Sequence, residues 1–174
     1  MIANQTIGVE AKSRLELRLL AHKIREALGL EPNEPFPTVN VLEILPIFVP
    51  EAYFEVVPIE DMPINIHADT DVINKVIRIR EDVYEGACKG NGRDRMTITH
   101  EFAHFIMICF CGFKLSRSFC SAKIITYCDP EWQAKCLAGE LMMDSRAIIN
   151  MTPRAVADKF GVSIDAAKLQ LKKI

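Results

Sequence analysis

The chain has 174 residues, 49% hydrophobic and 25% charged, with a formal net charge of −2. That length suits one domain with a real core and argues against two full-sized ones, and the composition excludes a disordered tail. The charge balance gives no reason to expect nucleic acid as a bulk electrostatic partner, which would need clustered basic residues.

Residues 1 to 30 carry acids, bases and amides throughout, so no secretory signal is expected and the chain reads as cytoplasmic. The most apolar stretch, Phe105 to Phe113, is far short of the ~20 residues that span a bilayer, so it reads as core and no membrane partner is expected. The six cysteines then read as reduced thiols packed as small hydrophobes. A second metal site from Cys109, Cys111, Cys120 and Cys128 is disfavoured, because residues two apart on a helix face different ways.

Leu17, Leu20, Ile24 and Leu28 recur at helical spacing and Gly29 follows as a stop, which predicts an amphipathic N-terminal helix with His22 solvated. A proline-rich connector, "EPNEPFPT" at 31 to 38, leads to a short helix around Val41 to Leu45. Extended segments are expected at 52 to 57, 64 to 68 and 75 to 80. The last alternates Ile77 and Ile79 with Arg78 and Arg80, as a strand with one wet face would. From Gly92 the pattern becomes helical until Gly112, apolar on nearly every side beyond Phe102 and therefore buried. A loop from about Lys114 to Cys128 precedes a helix opened by Asp129 as N-cap and Pro130. In the tail, Thr152 and Pro153 open one short helix, Gly161 closes it and Ser163 opens another. The organisation expected is a single domain over 1–174. An N-terminal helix and connector (1–38) and a C-terminal helix pair (151–174) flank a core at 39–150.

The chemistry concentrates in "THEFAHFI", residues 99 to 106. At about 100° per residue, His100 and His104 sit one turn apart on one face and can aim both imidazoles at one ion, with Glu101 beside it to hold an attacking water. The alternative is a pair of core histidines hydrogen-bonded to backbone. A catalytic zinc also needs a third protein ligand and an open position. On the helix after Asp129, the apolar stripe of Ala134, Leu137, Ala138, Leu141 and Met142 leaves Glu131 about 50° from its centre and Glu140 about 130° away. Glu131 is therefore expected to point inward as the third ligand and Glu140 outward. Glu131 also has a plainer reading, as a first-turn acid that favours the helix dipole.

Together, "RDRMTITHEFAHFIM" and "EWQAKCLAGELMM" resemble the ImmA/IrrE family of zinc-dependent metallopeptidases over roughly residues 40 to 150. That family's pattern is an arginine-containing lead-in, H-E-x-x-H, then E-x-x-A and a run ending in methionine and proline. Here Asp144 stands where the family has the proline. The resemblance implies a gluzincin-like site with His100, His104 and Glu131 as Zn2+ ligands and Glu101 as catalytic base. It gives Arg93 and Arg95 of the lead-in a structural role. It also implies an α+β, zincin-like fold, with a small, mostly antiparallel sheet beside an active-site helix and a ligand-bearing helix. The implied activity is endopeptidase cleavage of a helix-turn-helix transcriptional repressor, a protein substrate, which relieves repression of mobile elements, prophages or stress genes. His67 and Tyr127 are candidates for substrate or oxyanion contact, though nothing in their spacing shows it and an ordinary strand or loop residue is the favoured reading. The alternative is a non-catalytic regulator that binds a repressor or DNA through the C-terminal helix pair, with Lys159, Lys168, Lys172 and Lys173 supplying charge. Nothing in the sequence sets an oligomeric state.

Overall fold

Two helices, one carrying His100 and His104 and one with Glu131 in its first turn, pack side by side in an α+β fold. The computed structural model describes residues 7–111, 116–117 and 125–174. Helix α1 (Arg14–Ala27) begins at a capping box between Ser13 and Glu16 and ends at Gly29, whose φ of 70° suits glycine. Leu17, Ala21, Ile24 and Arg25 form its buried face. Short helices α2 (Asn40–Glu43) and α3 (Leu45–Phe48) follow the proline-rich connector.

A three-stranded sheet comes next: β2 (Tyr53–Val57), β3 (Ala68–Asp71) and β4 (Val76–Arg80), in the order β2-β4-β3. A two-residue strand β1 (Ile7–Gly8) pairs separately with β5 (Ser116–Arg117). The sheet is mixed rather than mostly antiparallel, because β3 and β4 form a hairpin while β2 runs parallel to β4. The hairpin turn is held by Asp71, whose Oδ1 accepts from the amides of Ile73 and Asn74. The strand expected at 64 to 68 begins only at Ala68. Pro63 opens a turn instead, closed by the Ile66 amide donating to the Pro63 carbonyl at 2.8 Å. On β4, Arg78 is exposed and pairs with Asp69 directly across the ladder, but Arg80 is buried against Asp82.

Helix α4 (Glu81–Cys88) has no counterpart in the sequence expectations, since Val83 and Ala87 are too sparse a stripe to announce it. Helix α5 (Gly92–Cys111) starts where Asn91 Oδ1 accepts from the Arg93 amide. Its buried residues include Ile98, Phe102, Phe105 and Ile106. Beyond them Met107 and Ile108 are half-buried and Cys109 is exposed, so this end is not enclosed on all sides as expected. Gly112, Cys120 and most of the expected loop from Lys114 lie outside the described residues.

Helix α6 (Pro130–Met142) opens on Asp129, whose side chain accepts from the Glu131 amide at 2.9 Å. It packs on α5 along one side and on α1 along the other, so Gln133, Ala134 and every residue from Cys136 to Met142 are buried. Glu140 is therefore not turned outward. Its side chain is 0% exposed, and Arg18 donates to both of its oxygens at 3.1 Å. Asp144 caps helix α7 (Ser145–Ile148) and is clasped by Arg146 at 2.6 Å and Arg25 at 3.4 Å. His22 is not solvated either: its Nε2 lies 3.5 Å from the same carboxylate, and burial holds the imidazole below its ordinary pKa. The tail follows expectation, with α8 (Pro153–Phe160) and α9 (Ile164–Leu171) capped by Thr152 and Ser163 around the left-handed Gly161. One hydrophobic core runs from Leu17 to Ala167 and includes residues of α1, the sheet, α5, α6, α8 and α9.

Candidate metal centre

The cleft beside α5 follows from its periodicity. Thr97, His100, Glu101, His104 and Ile108 recur at helical spacing and share one face, the opposite side being taken by the buried Phe102, Ala103 and Ile106. That face opens on a cleft of about 510 Å³, walled across from α5 by Asn65 to Thr70 and closed at one end by Glu131.

Three of these side chains converge. His100 Nε2 and His104 Nε2 are 3.1 Å apart. Glu131 Oε2 lies 3.2 Å from the first nitrogen and Oε1 3.1 Å from the second. Two imidazoles and a carboxylate are a donor set of catalytic zinc sites, and ligands at about 2.0–2.1 Å around a tetrahedral ion are separated by roughly 3.3 Å. The observed separations are close to that edge. Burial is the main force lowering the pKa of His100 and of His104, which leaves neutral rings with a lone pair to give. The Glu131 side chain is 58% exposed, so it meets the histidines from the solvent side and leaves an approach open. Among the described residues these three form the group able to hold a metal ion. The residues present thus fit a zinc ion with one open position.

Glu101 stands beside this group without joining it. Its Oε2 accepts a hydrogen bond from Thr70 Oγ1 on β3 at 2.8 Å. Burial raises its pKa to about 7, with Thr70 opposing and the charges of Glu131 and Asp69 adding to the rise. A divalent cation beside it would pull that value back down.

The sequence candidates divide clearly. His100, Glu101, His104 and Glu131 line one cleft. His67 lies in the cleft wall, its Nε2 3.3 Å from Arg93 Nη2. Tyr127 is exposed and sets its ring edge-on to Trp132 at 5.6 Å, away from the cleft lining. Arg95 braces the fold, donating to the carbonyls of Phe36, Phe160 and Gly161. Thr70 escaped sequence reasoning, since its link to Glu101 exists only after β3 folds against α5. Of the cysteines, Cys88 and Cys109 are exposed and Cys136 is buried, accepting from Arg14 Nη2 at 3.0 Å.

No family model matches the chain, and no curated protein matches it. Among solved structures, the chain is similar to a Mycobacterium tuberculosis transcriptional regulator, with a TM-score of 0.58 and 11% sequence identity over 88% of this chain. This chain spans 45% of the length of that one. At such identity the likeness is one of fold.

Proposed function

We propose that the protein is a zinc-dependent endopeptidase of the ImmA/IrrE type, and that its substrate is a helix-turn-helix transcriptional repressor. The observation that carries the reading is the convergence of His100, His104 and Glu131 beside, but not onto, Glu101. The substrate class rests on the sequence resemblance.

Held by His100, His104 and Glu131, a zinc ion would supply Lewis acidity and make nearby water more acidic. Glu101 would accept a proton from the water that adds to the scissile carbonyl and pass it to the amine that leaves. Thr70 holds one carboxylate oxygen of Glu101, which fixes the rotamer and leaves the other oxygen for the proton. Strand β3 is an edge of its sheet and lies along the cleft, so an extended substrate segment can pair with it and lay a peptide bond across the site.

The second reading, a non-catalytic regulator that binds a repressor or DNA, draws on the fold neighbour's description and on the exposed Lys159, Lys168 and Lys172. It ranks second because α8 and α9 turn Val156, Phe160 and Ala167 into the common core, as domain-closing helices do. One experiment separates the two: incubation of the zinc-loaded protein with a repressor encoded beside it. Cleavage that falls about 10²- to 10⁴-fold in Glu101→Gln, at unchanged zinc content, is the expected result. Wild-type cleavage by that variant would remove Glu101 from the mechanism. Intact repressor from every neighbouring candidate would favour the regulator.

A further inference from the structure

A second cavity, of about 560 Å³, lies between α5, α6 and α9 and shares only Thr97 and His100 with the cleft. Its size falls within the ~300–1,000 Å³ typical of small-molecule sites. Met96, Trp132, Ala138, Met143, Ala166 and Leu169 make its walls apolar. Arg14, Arg93, Lys135 and Lys173 stand around it, and among the described residues no Asp or Glu lines it. That is an uneven distribution in a chain whose net charge is −2. Arg14 sits over the Trp132 ring at 5.6 Å and reaches Glu140, behind the wall, only at 3.9 Å. Burial and the nearby Arg14 charge hold the Lys173 ammonium below its ordinary pKa, opposed by Glu140 behind the wall, whose two oxygens Arg18 already engages. Two buried donors of this wall, Arg14 Nη1 and Gln170 Nε2, have no hydrogen-bond acceptor, and Gln170 is only 2% exposed.

We propose that the cavity binds a fatty-acid-like anion, its unbranched apolar tail against Met96, Trp132 and Leu169 and its carboxylate among Arg14, Lys135 and Lys173. A carboxylate is acceptor-only and matches the guanidinium fork, which answers the charge. The tail answers the walls, which offer little else that is polar. An occupant would bridge α5, α6 and α9 beside the cleft, with which the cavity shares Thr97 and His100. The proposal rests on the basic and apolar lining and not on a bound zinc.

Trp132 is the single tryptophan of the chain and lines the cavity, so its emission reports occupancy without any activity assay. Titration of the full chain with dodecanoate, below micelle formation, should give a saturable change in Trp132 emission, at least tenfold weaker with dodecanol and with dodecyltrimethylammonium. Ala166→Phe should fill the cavity and abolish the response. Leu169 is 56% exposed, so Leu169→Glu is a fold-safe second variant that places an acid at the rim and should weaken binding about tenfold. Equal response to the three head groups, or wild-type binding by a folded Ala166→Phe or Leu169→Glu, would reveal plain surfactant adsorption and overturn the proposal. So would saturation by an acidic amphipathic peptide with no response to dodecanoate.

Discussion

Helix α6 carries an acid near each end, and the two are held in opposite ways. Glu140 is fully buried between α6 and α1, and Arg18 donates to both its oxygens while also reaching the Lys173 carbonyl at 3.0 Å. Glu131 is mostly exposed and faces two uncharged imidazoles, with no arginine on it among the described residues. A carboxylate locked by a fixed guanidinium is committed to structure, since its lone pairs are already spent on the fork. A carboxylate whose neighbours are two other electron-pair donors has its binding capacity still open. Nine positions along one helix thus separate an acid that holds the fold together from one available to a ligand.

The largest way to break this contrast is to truncate each acid in turn. Glu140→Ala leaves the Arg18 guanidinium without its partner inside the fold, a loss of about 3–5 kcal/mol. Glu131→Ala removes an exposed side chain and should stay within ~0.5 kcal/mol. Urea denaturation of the metal-free proteins measures both, and equal losses would erase the distinction.

A smaller effect sharpens the contrast at the other buried acid. Burial lowers the pKa of His22, opposed by Asp144. Burial would raise the pKa of Asp144 itself, but its hydrogen bonds from Arg146 outweigh that and lower it. The folded imidazole titrates below its ordinary 6.5, so the stability contributed by neutral His22 is present above that value and lost as pH falls through it. Denaturant midpoints between about pH 7.5 and 5.5 should therefore fall more steeply for the wild type than for His22→Gln. The limit for one proton is ~1.4 kcal/mol per pH unit. Parallel curves would mean that His22 titrates in the fold as it does in the unfolded chain.

What the sequence disclosed was local. Caps at Asp129, Thr152 and Ser163 and the left-handed Gly161 act within a few residues, and the spacing of His100, Glu101 and His104 is fixed by the helix they lie on. What it concealed was non-local. Helical periodicity assumes one buried face, and α6 has a second one against α1, so an angle that put Glu140 outside was overruled by Arg18, 122 residues away. His22 was taken inside by Asp144, a partner 122 residues away that no local pattern announces. The strand near 64 to 68 slid to Ala68–Asp71 because Pro63 makes a turn first, and that shift is what delivers Thr70 to Glu101.

The proposed activity depends most on the ion, and zinc content tests it directly. Elemental analysis and competitive titration should give about one zinc per wild-type chain and a clear loss in Glu131→Ala, with the metal retained in Glu140→Gln at unchanged circular dichroism. A wild type that takes up no zinc, or a Glu131→Ala protein that keeps its full complement while Glu140→Gln loses it, would contradict the assignment of the centre.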